Sequence, residues 1–294
     1  MGRGLHIQSV KLVDAAVRVL EEIKPTTVRS VCYQLFTRGL IENMGRNETG
    51  NVSRLLTWAR EHGQIEWSWI VDETREVEQV AQWSDGAHFI QSLVGQYRKD
   101  YWQDQPYNVE LVSEKGTVRG VLAAVLEEFG VPFRVMHGFA SATATNDMAG
   151  SINHREKPTV LLYVGDWDPS GMFMSEEDLP DRLERYGADP GRFQLCRIAL
   201  THVDVSSDAL PYFLAETKKS DARYRWFIRK YGEKCWEVDA MNSNDLRRRV
   251  RNSIVQHLDI DAWNHMVEIE RVESESMQRI MGDWKRALGR PSSP

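Results

Sequence analysis

The sequence predicts an α/β protein: a helical N-terminal region followed by a parallel sheet with flanking helices. Apolar residues recur at helical spacing through the first 62 residues, as expected of amphipathic helices. From about residue 107, short apolar segments alternate with helical ones, a pattern typical of parallel strands joined by crossover helices. Segment 159–164 (TVLLYV) is continuously apolar and is the strongest strand, because strands buried on both faces lose polar alternation.

Length and composition favour a globular protein of about two domains. The chain has 294 residues, of which 41% are hydrophobic and 27% charged. It contains no run near the ~18 apolar residues of a membrane span, and its first residues lack the apolar core of a signal peptide. We therefore expect a cytoplasmic protein without membrane contact. Its three cysteines are far apart and support neither a disulfide framework nor a structural zinc site.

The N-terminal region predicts three short helices. The first ends before Pro25, the second stops at Gly39, and the third covers residues 49–62, since proline and glycine end helices. Residues 64–71 then tend to alternate between polar and apolar, which predicts a strand. Three helices followed by a strand are typical of a winged helix-turn-helix, a module that usually binds DNA.

This N-terminal region is basic, although the whole chain has a net charge of −6. Residues 1–65 contain nine Lys and Arg against six Asp and Glu. Affinity for the phosphate backbone comes mainly from Lys and Arg, so we expect this region to contact double-stranded DNA. The third helix is the expected recognition helix, and its predicted DNA-binding residues are Arg46, Asn51, Arg54 and Arg60.

The remaining chain predicts the sheet and its connections. The predicted strands are residues 109–112, 132–136, 159–164 and 194–199, and a helix at 118–129 follows the first. The expected domains are a winged helix at 1–75, a linker with a connecting helix at 76–106, the sheet domain at 107–260, and a C-terminal helix and tail at 261–294, frayed from 290.

Acidic residues follow two of the predicted strands. Glu114 comes after the first strand, and Asp166 and Asp168 come after the third. Open parallel sheets bind ligands at this edge, and residues two apart in an extended chain face the same way. Three unpaired carboxylates would repel one another, so the set predicts a divalent cation, Mg²⁺ or Mn²⁺ for oxygen ligands. A turn in which one aspartate caps the next helix is the alternative for the Asp pair.

Tyr33 is a candidate nucleophile. Helical geometry separates it from the apolar stripe of its helix and places it one turn after Arg29. A tyrosine hydroxyl on that polar face could meet a phosphate whose oxygens the guanidinium holds. From spacing alone, an amphipathic tyrosine at the edge of the core is the open alternative.

Residues 112–116 (VSEKG) with the following helix, and residues 165–171 (GDWDPSG), resemble the Toprim domain of topoisomerases and related nucleases. The form they resemble is that of the A subunit of type IIB topoisomerases (topoisomerase VI) and of the meiotic break-forming transesterases. Those families carry an upstream winged helix with an Arg-x-x-x-Tyr motif, which residues 29–33 (RSVCY) resemble. Residues 219–223 and 236–240 resemble segments downstream. The chain is most similar to the short stand-alone relatives called Mini-A.

The resemblance implies that Tyr33 attacks a DNA phosphodiester to form a 5′-phosphotyrosyl link. Arg29, Glu114 and Lys115 would belong to the catalytic set, and Glu114, Asp166 and Asp168 would hold Mg²⁺. It also implies a homodimer in which the tyrosine and the metal site of one active centre come from different subunits. Topoisomerase VI works with an ATPase subunit, and this chain has no P-loop motif, so strand passage would need a separate ATPase partner.

Two other functions are compatible with the same residues. A Toprim hydrolytic nuclease would use metal-activated water, and Tyr33 would then be structural. A non-catalytic DNA-binding or assembly protein would depend on a partner ATPase. A covalent protein–DNA adduct distinguishes the first hypothesis from both.

Overall fold

A computed structural model describes residues 6–71, 80–136, 142–207 and 209–288. The predicted frayed tail from residue 290 lies outside these ranges. The helices, in chain order, are α1 (Ile7–Ile23), α2 (Val28–Thr37), α3 (Arg46–Glu61), α4 (Gly86–Gln96), α5 (Thr117–Phe129), α6 (Ala142–His154), α7 (Pro169–Phe173), α8 (Leu179–Arg185), α9 (His202–Ser206), α10 (Tyr224–Tyr231), α11 (Ser243–Val255) and α12 (Ile260–Leu288). The strands are β1 (Asn108–Ser113), β2 (Phe133–Val135), β3 (Thr159–Val164), β4 (Phe193–Ala199), β5 (Phe213–Leu214) and β6 (Lys234–Cys235).

The chain forms two compact units. The first joins Met1–Thr74 to Asn108–Gln256, and the second joins Arg75–Tyr107 to His257–Pro294. The N-terminal helices and the sheet therefore belong to one unit, although a long segment separates them in the sequence.

Helices α1 to α3 confirm the three helices predicted at the N-terminus. Their apolar faces enclose one core, in which Val19, Leu20, Val31, Leu35 and Leu56 are buried. Thr27 begins α2, since its side chain accepts a hydrogen bond from the Ser30 amide at 2.9 Å, as an N-cap does.

The strand predicted at residues 64–71 is wrong. The segment contains a 3₁₀ turn, Trp67–Trp69, and only Ile70 forms an isolated bridge, to Thr26. Burial explains the difference, because Ile65 and Ile70 are buried while Trp67 is 61% exposed, so the apolar side chains do not share one strand face. Arg60 of α3 also binds this segment, donating to the Trp67 carbonyl oxygen at 2.9 Å.

A four-stranded parallel sheet in the order β2-β1-β3-β4 forms the centre of the first unit. It confirms the predicted α/β class and all four predicted strands, with β3 at the predicted bounds. Ser113 pairs with Val164 in the register of β1 and β3. The loops that follow these two strands therefore begin side by side, and they carry the predicted carboxylates.

The second unit contains α4 and the long helix α12, which confirms a C-terminal helix. Glu270 and Glu273 of α12 bind the segment after α4: the Lys99 amide donates to Glu270 at 2.6 Å, and the Lys99 ammonium lies 3.1 Å from Glu273. Trp263 packs edge-on against Tyr101. Within the described ranges, no helix is both long and apolar enough to cross a membrane.

Candidate functional site

The carboxyl edge of the sheet brings Glu114, Asp166 and Asp168 together. Asp166 and Asp168 are buried, and a Glu114 oxygen lies beside Gly171 at the start of α7. A Cβ built on Gly171 would stand 2.4 Å from the Asp166 carbonyl oxygen and 3.1 Å from that glutamate oxygen. Only glycine fits there, because the backbone of the loop after β3 turns back onto itself at Asp166.

Lys115 joins this edge to a distant part of the chain. Its ammonium lies 2.9 Å from Asp166 Oδ2 and 3.0 Å from Asp239 Oδ2. The other oxygen of Asp166 accepts a hydrogen bond from the Val238 amide at 2.8 Å. Both oxygens of Asp166 therefore have partners, and residues 238 and 239 belong to the site.

Asp168 has two roles. Its Oδ1 accepts a hydrogen bond from the Gly171 amide at 2.8 Å and so caps α7, as the capping alternative predicted. Its Oδ2 lies 3.1 Å from the Lys218 ammonium. Asp168 thus fixes the helix start and also belongs to the charged cluster.

Burial and like charges perturb the carboxylates. Burial, with the charges of Asp166 and Asp168, raises the pKa of Glu114 to about 7. Burial also raises the pKa of Asp166 to about 6, although Lys115 opposes the shift. Burial opposes the charge of Lys115, but Asp166, Asp239 and Glu237 hold its pKa above the usual value. Such shifts are frequent at functional sites.

Helix α2 reaches the same cluster. Arg29 forms a two-pronged ion pair with Glu237, and Thr27 Oγ1 donates to Asp239 Oδ1 at 2.7 Å. Asp239 thus accepts from Thr27 and Lys115, which together with Arg29 keep its pKa low despite burial. Arg29 and Lys115, both predicted to be catalytic, therefore meet through one acidic segment, Glu237 to Asp239.

Tyr33 is buried, with 3% of its surface exposed. It does not belong to the core of α1 to α3, which agrees with its predicted place off the apolar stripe. Arg29 lies 5.7 Å from the centre of its ring. Burial, with the charge of Glu237, raises its pKa, while Arg29 and Lys115 act in the opposite direction. Among described residues, none hydrogen-bonds the Tyr33 hydroxyl.

Arg197 on β4 organises the loop after β3 and has no counterpart in the sequence prediction. Its guanidinium donates to the carbonyl oxygens of Gly165, Asp166, Gly171 and Leu200 at 2.6–3.2 Å. Sequence reasoning also missed Lys218, Glu237 and Asp239. Glu237 and Asp239 lie in residues 236–240, a segment that resembles the family. That resemblance could have pointed to them, but no motif assigns either residue a role.

The predicted DNA-binding residues lie on α3 in different settings. Arg46 and Arg54 are exposed, and Arg54 donates to Asn51 Oδ1 at 2.8 Å. The Arg60 guanidinium lies 4.5 Å from the Trp67 ring centre and also binds the chain after α3. Arg60 therefore has an internal structural role, whereas Arg46 and Arg54 are open to solvent.

A cavity of about 440 Å³ lies between α2 and the sheet edge. The charged residues lining it are Arg29, Lys115, Asp166, Lys218, Glu237 and Asp239. Across the described ranges, no three acidic, His or Cys side chains are arranged to hold a metal ion. Asp166 and Asp168 are instead directed at Lys115 and Lys218.

No family model matches the chain, and no curated protein is significantly similar to it.

Proposed function

We propose that this chain is a metal-dependent DNA-cleaving transesterase in which Tyr33 is the nucleophile and Glu114, Asp166 and Asp168 hold the metal ion. One observation carries the proposal: the helix that bears Arg29 and Tyr33 is bound through Thr27 and Arg29 to residues 237–239, the segment that also contacts Lys115 and Asp166. The motif resemblance to Toprim topoisomerase subunits supports it.

The donor set suits Mg²⁺ or Mn²⁺ in its chemistry. The side chains offer oxygen atoms only, and five carboxylates face three ion-paired bases. Arg197 nearby is hydrogen-bonded to backbone carbonyls, and even counting its charge the cluster stays negative. Burial is the main cause of the raised pKa values of Glu114 and Asp166, and the neighbouring carboxylates add to it. When bound, Mg²⁺ would stabilise negative charge on the phosphate and on the leaving oxygen.

The residues of the chain would divide the remaining chemistry. The Tyr33 oxygen forms a bond to phosphorus as the bond from phosphorus to the 3′-oxygen breaks, so the break leaves a 5′-phosphotyrosyl link and a 3′-hydroxyl. The tyrosine proton leaves to a base, and the departing oxygen gains a proton. Glu114 would be held ionised once Mg²⁺ is bound, so its role in this step is to hold the metal. Arg29 and Lys115 would hold phosphate oxygens.

Helices α1 to α3 would provide the DNA-binding surface. Arg46 and Arg54 are exposed on α3 and would contact the phosphate backbone of double-stranded DNA. The winged-helix identity of this region, the homodimer and a separate ATPase subunit for strand passage are parts of the same proposal. The first rests on the helix pattern and on the family resemblance, and the other two rest on the resemblance alone.

A denaturing adduct assay tests the proposal. We would incubate the protein and supercoiled or 3′-end-labelled DNA with Mg²⁺, Mn²⁺ or EDTA, and then add detergent with or without protease. Label should migrate with the protein only when metal is present, and protease should release it. Tyr33→Phe and Asp166→Ala should abolish the adduct. Their matched controls, Tyr212→Phe and Asp181→Ala at exposed positions, should retain it. Wild-type protein that cleaves without an adduct would contradict the proposal.

Hydrolysis is the second candidate, and the burial of Tyr33 favours it. A tyrosine that is 3% exposed, with a raised pKa, must become accessible and lose its proton before it attacks, whereas water can reach an open cavity directly. The same assay separates the two reactions. Free nicked or linear DNA that survives Tyr33→Phe but not Asp166→Ala would identify a hydrolytic nuclease.

A further inference from the structure

We infer that residues 218–234, which comprise α10 and the turns on either side of it, form a second DNA-binding surface beside the carboxylate cluster. Lys219, Arg225 and Arg229 bind the phosphate backbone of the duplex there. This inference rests on the proposed function and adds to it the surface that holds DNA next to the metal site.

This segment is strongly basic in an acidic chain. Residues 218–234 contain seven Lys and Arg against two Asp and Glu, a net charge of +5, whereas the whole chain has a net charge of −6. Residues 1–65, with nine Lys and Arg against six Asp and Glu, reach only +3. Affinity for the phosphate backbone comes mainly from such cations, so this short segment offers more of it than the whole N-terminal region.

Three of these cations are available to a ligand. Lys219, Arg225 and Arg229 are exposed, and among the residues that the structure describes no carboxylate pairs with them. Arg229 donates to the Arg225 carbonyl oxygen at 3.3 Å, a contact within the helix. Arg225 and Arg229 are four residues apart and therefore share one face of α10. The opposite side of the helix is buried, with Phe227 0% exposed.

Two contacts place α10 beside the carboxylate cluster. Lys218, in the turn before α10, has its ammonium 3.1 Å from Asp168 Oδ2. Tyr231, the last residue of α10, packs edge-on against Trp167 with ring centres 5.1 Å apart. Trp167 lies between Asp166 and Asp168 in the chain. Both ends of the helix are therefore tied to the loop that carries two of the proposed metal ligands.

A basic surface at this place would offset the charge of the cluster. The buried carboxylates repel a phosphate backbone that approaches them, because like charges repel. Cations beside the cluster attract the duplex and bind it with release of counterions. The phosphates held by Lys219, Arg225 and Arg229 would flank the one at the metal site. These three residues thus position the DNA and take no part in the bond-breaking step.

Fluorescence anisotropy with a labelled 30-base-pair duplex tests the surface without cleavage. EDTA would be present, and the KCl concentration would be varied. Arg225→Gln with Arg229→Gln should weaken binding about tenfold or more at 150 mM KCl. The slope of log K against log[KCl] should become shallower by about 1.8, as expected for two lost phosphate contacts. The melting temperature should stay at the wild-type value, since both side chains are exposed.

A matched control removes two arginines elsewhere. Arg271→Gln with Arg279→Gln on α12 changes exposed residues that pair with glutamates, and it should alter neither the affinity nor the slope. Unchanged affinity and slope in the variant of Arg225 and Arg229 would overturn the inference and leave the proposed function standing. DNA binding that depends on these two arginines, in a protein that forms no adduct with metal, would leave the surface standing and remove the transesterase.

The adduct assay separates binding from chemistry. With Mg²⁺ at 150 mM KCl, the variant of Arg225 and Arg229 should form less adduct than the wild type. At 50 mM KCl with excess DNA the two proteins should form equal amounts, because lower salt strengthens the remaining phosphate contacts. An adduct that stays low when DNA binding is saturated would contradict a positioning role for these arginines.

Discussion

The sheet edge and helix α12 contain the same kinds of ion pair in different surroundings. At the sheet edge, Lys115 pairs with Asp166 and Asp239, which lie 51 and 124 residues further along the chain. Both aspartate side chains are less than a tenth exposed. On α12, Arg271 pairs with Glu268 and Glu275 within one helical turn, and all three side chains are about half exposed.

Burial is what separates the two sets of ion pairs. Exposed pairs one turn apart are screened by water and contribute little, and they form wherever a helix carries both signs. Buried carboxylates lose solvation, which is the main reason that Glu114 and Asp166 have raised pKa values. A bound cation would stabilise the negative charge of these buried carboxylates. The sheet edge, and not α12, is therefore the candidate metal site.

The largest expected effect is on activity at the sheet edge. Glu114→Gln should lower DNA cleavage by roughly 10²–10³-fold, the range for loss of one electrostatic group in an active site. The melting temperature without metal at pH 8 should not fall, because the change removes a destabilised buried charge. A matched Glu268→Gln change on α12 should leave cleavage unchanged. Unaltered cleavage in Glu114→Gln would show that the sheet edge is no more important for activity than α12.

Lys115→Met should destabilise the protein by about 3 kcal/mol at pH 8, because removing one partner leaves buried Asp166 and Asp239 uncompensated. The loss should be smaller at pH 5.5, where Asp166 can take up a proton and become neutral. Urea unfolding at both pH values measures it. An equal loss at the two pH values would show that the missing packing, not the missing charge, causes the destabilisation.

Metal binding should stabilise the protein more as the pH rises. The pKa values of Glu114, about 7, and of Asp166, about 6, exceed their unfolded values, so the folded state binds more protons between pH 4 and 7. The contribution of these groups to stability is therefore present at low pH and is lost as pH rises through 6 to 7. Mg²⁺ stabilises the ionised forms, so the rise in melting temperature with 10 mM Mg²⁺ should grow from pH 5.5 to pH 8. Calorimetry with and without Mg²⁺ checks this, and Asp166→Asn should flatten the trend.

The smallest effect is expected on α12. Arg271→Ala removes two exposed ion pairs and should shift the melting temperature by less than about 1 °C, because water screens such pairs. High salt should reduce the shift further. A shift of several degrees would mean that these exposed pairs contribute as buried ones do, which would weaken the contrast.

Local patterns in the sequence determined much of this protein. The apolar run of β3 gave its bounds directly, and helical periodicity located α1 to α3, because both signals depend on neighbouring residues. The parallel arrangement of β1 and β3 also follows from the order of elements, and it placed Glu114 beside Asp166 and Asp168. The strand predicted at 64–71 is wrong because the burial of its side chains does not follow the alternation in the sequence. Ile65 and Ile70 are buried, whereas Trp67 is exposed.

Tertiary structure alone decided how the charges of the site are paired. Tyr33 lies outside the core of α1 to α3, as its spacing indicates, yet it is only 3% exposed. Glu237 and Asp239 reach Arg29, Thr27 and Lys115 from about 200 and 120 residues away. Side-chain periodicity describes one element at a time, whereas an ion pair and its pKa depend on distance and burial between elements, which the chain acquires only when it folds.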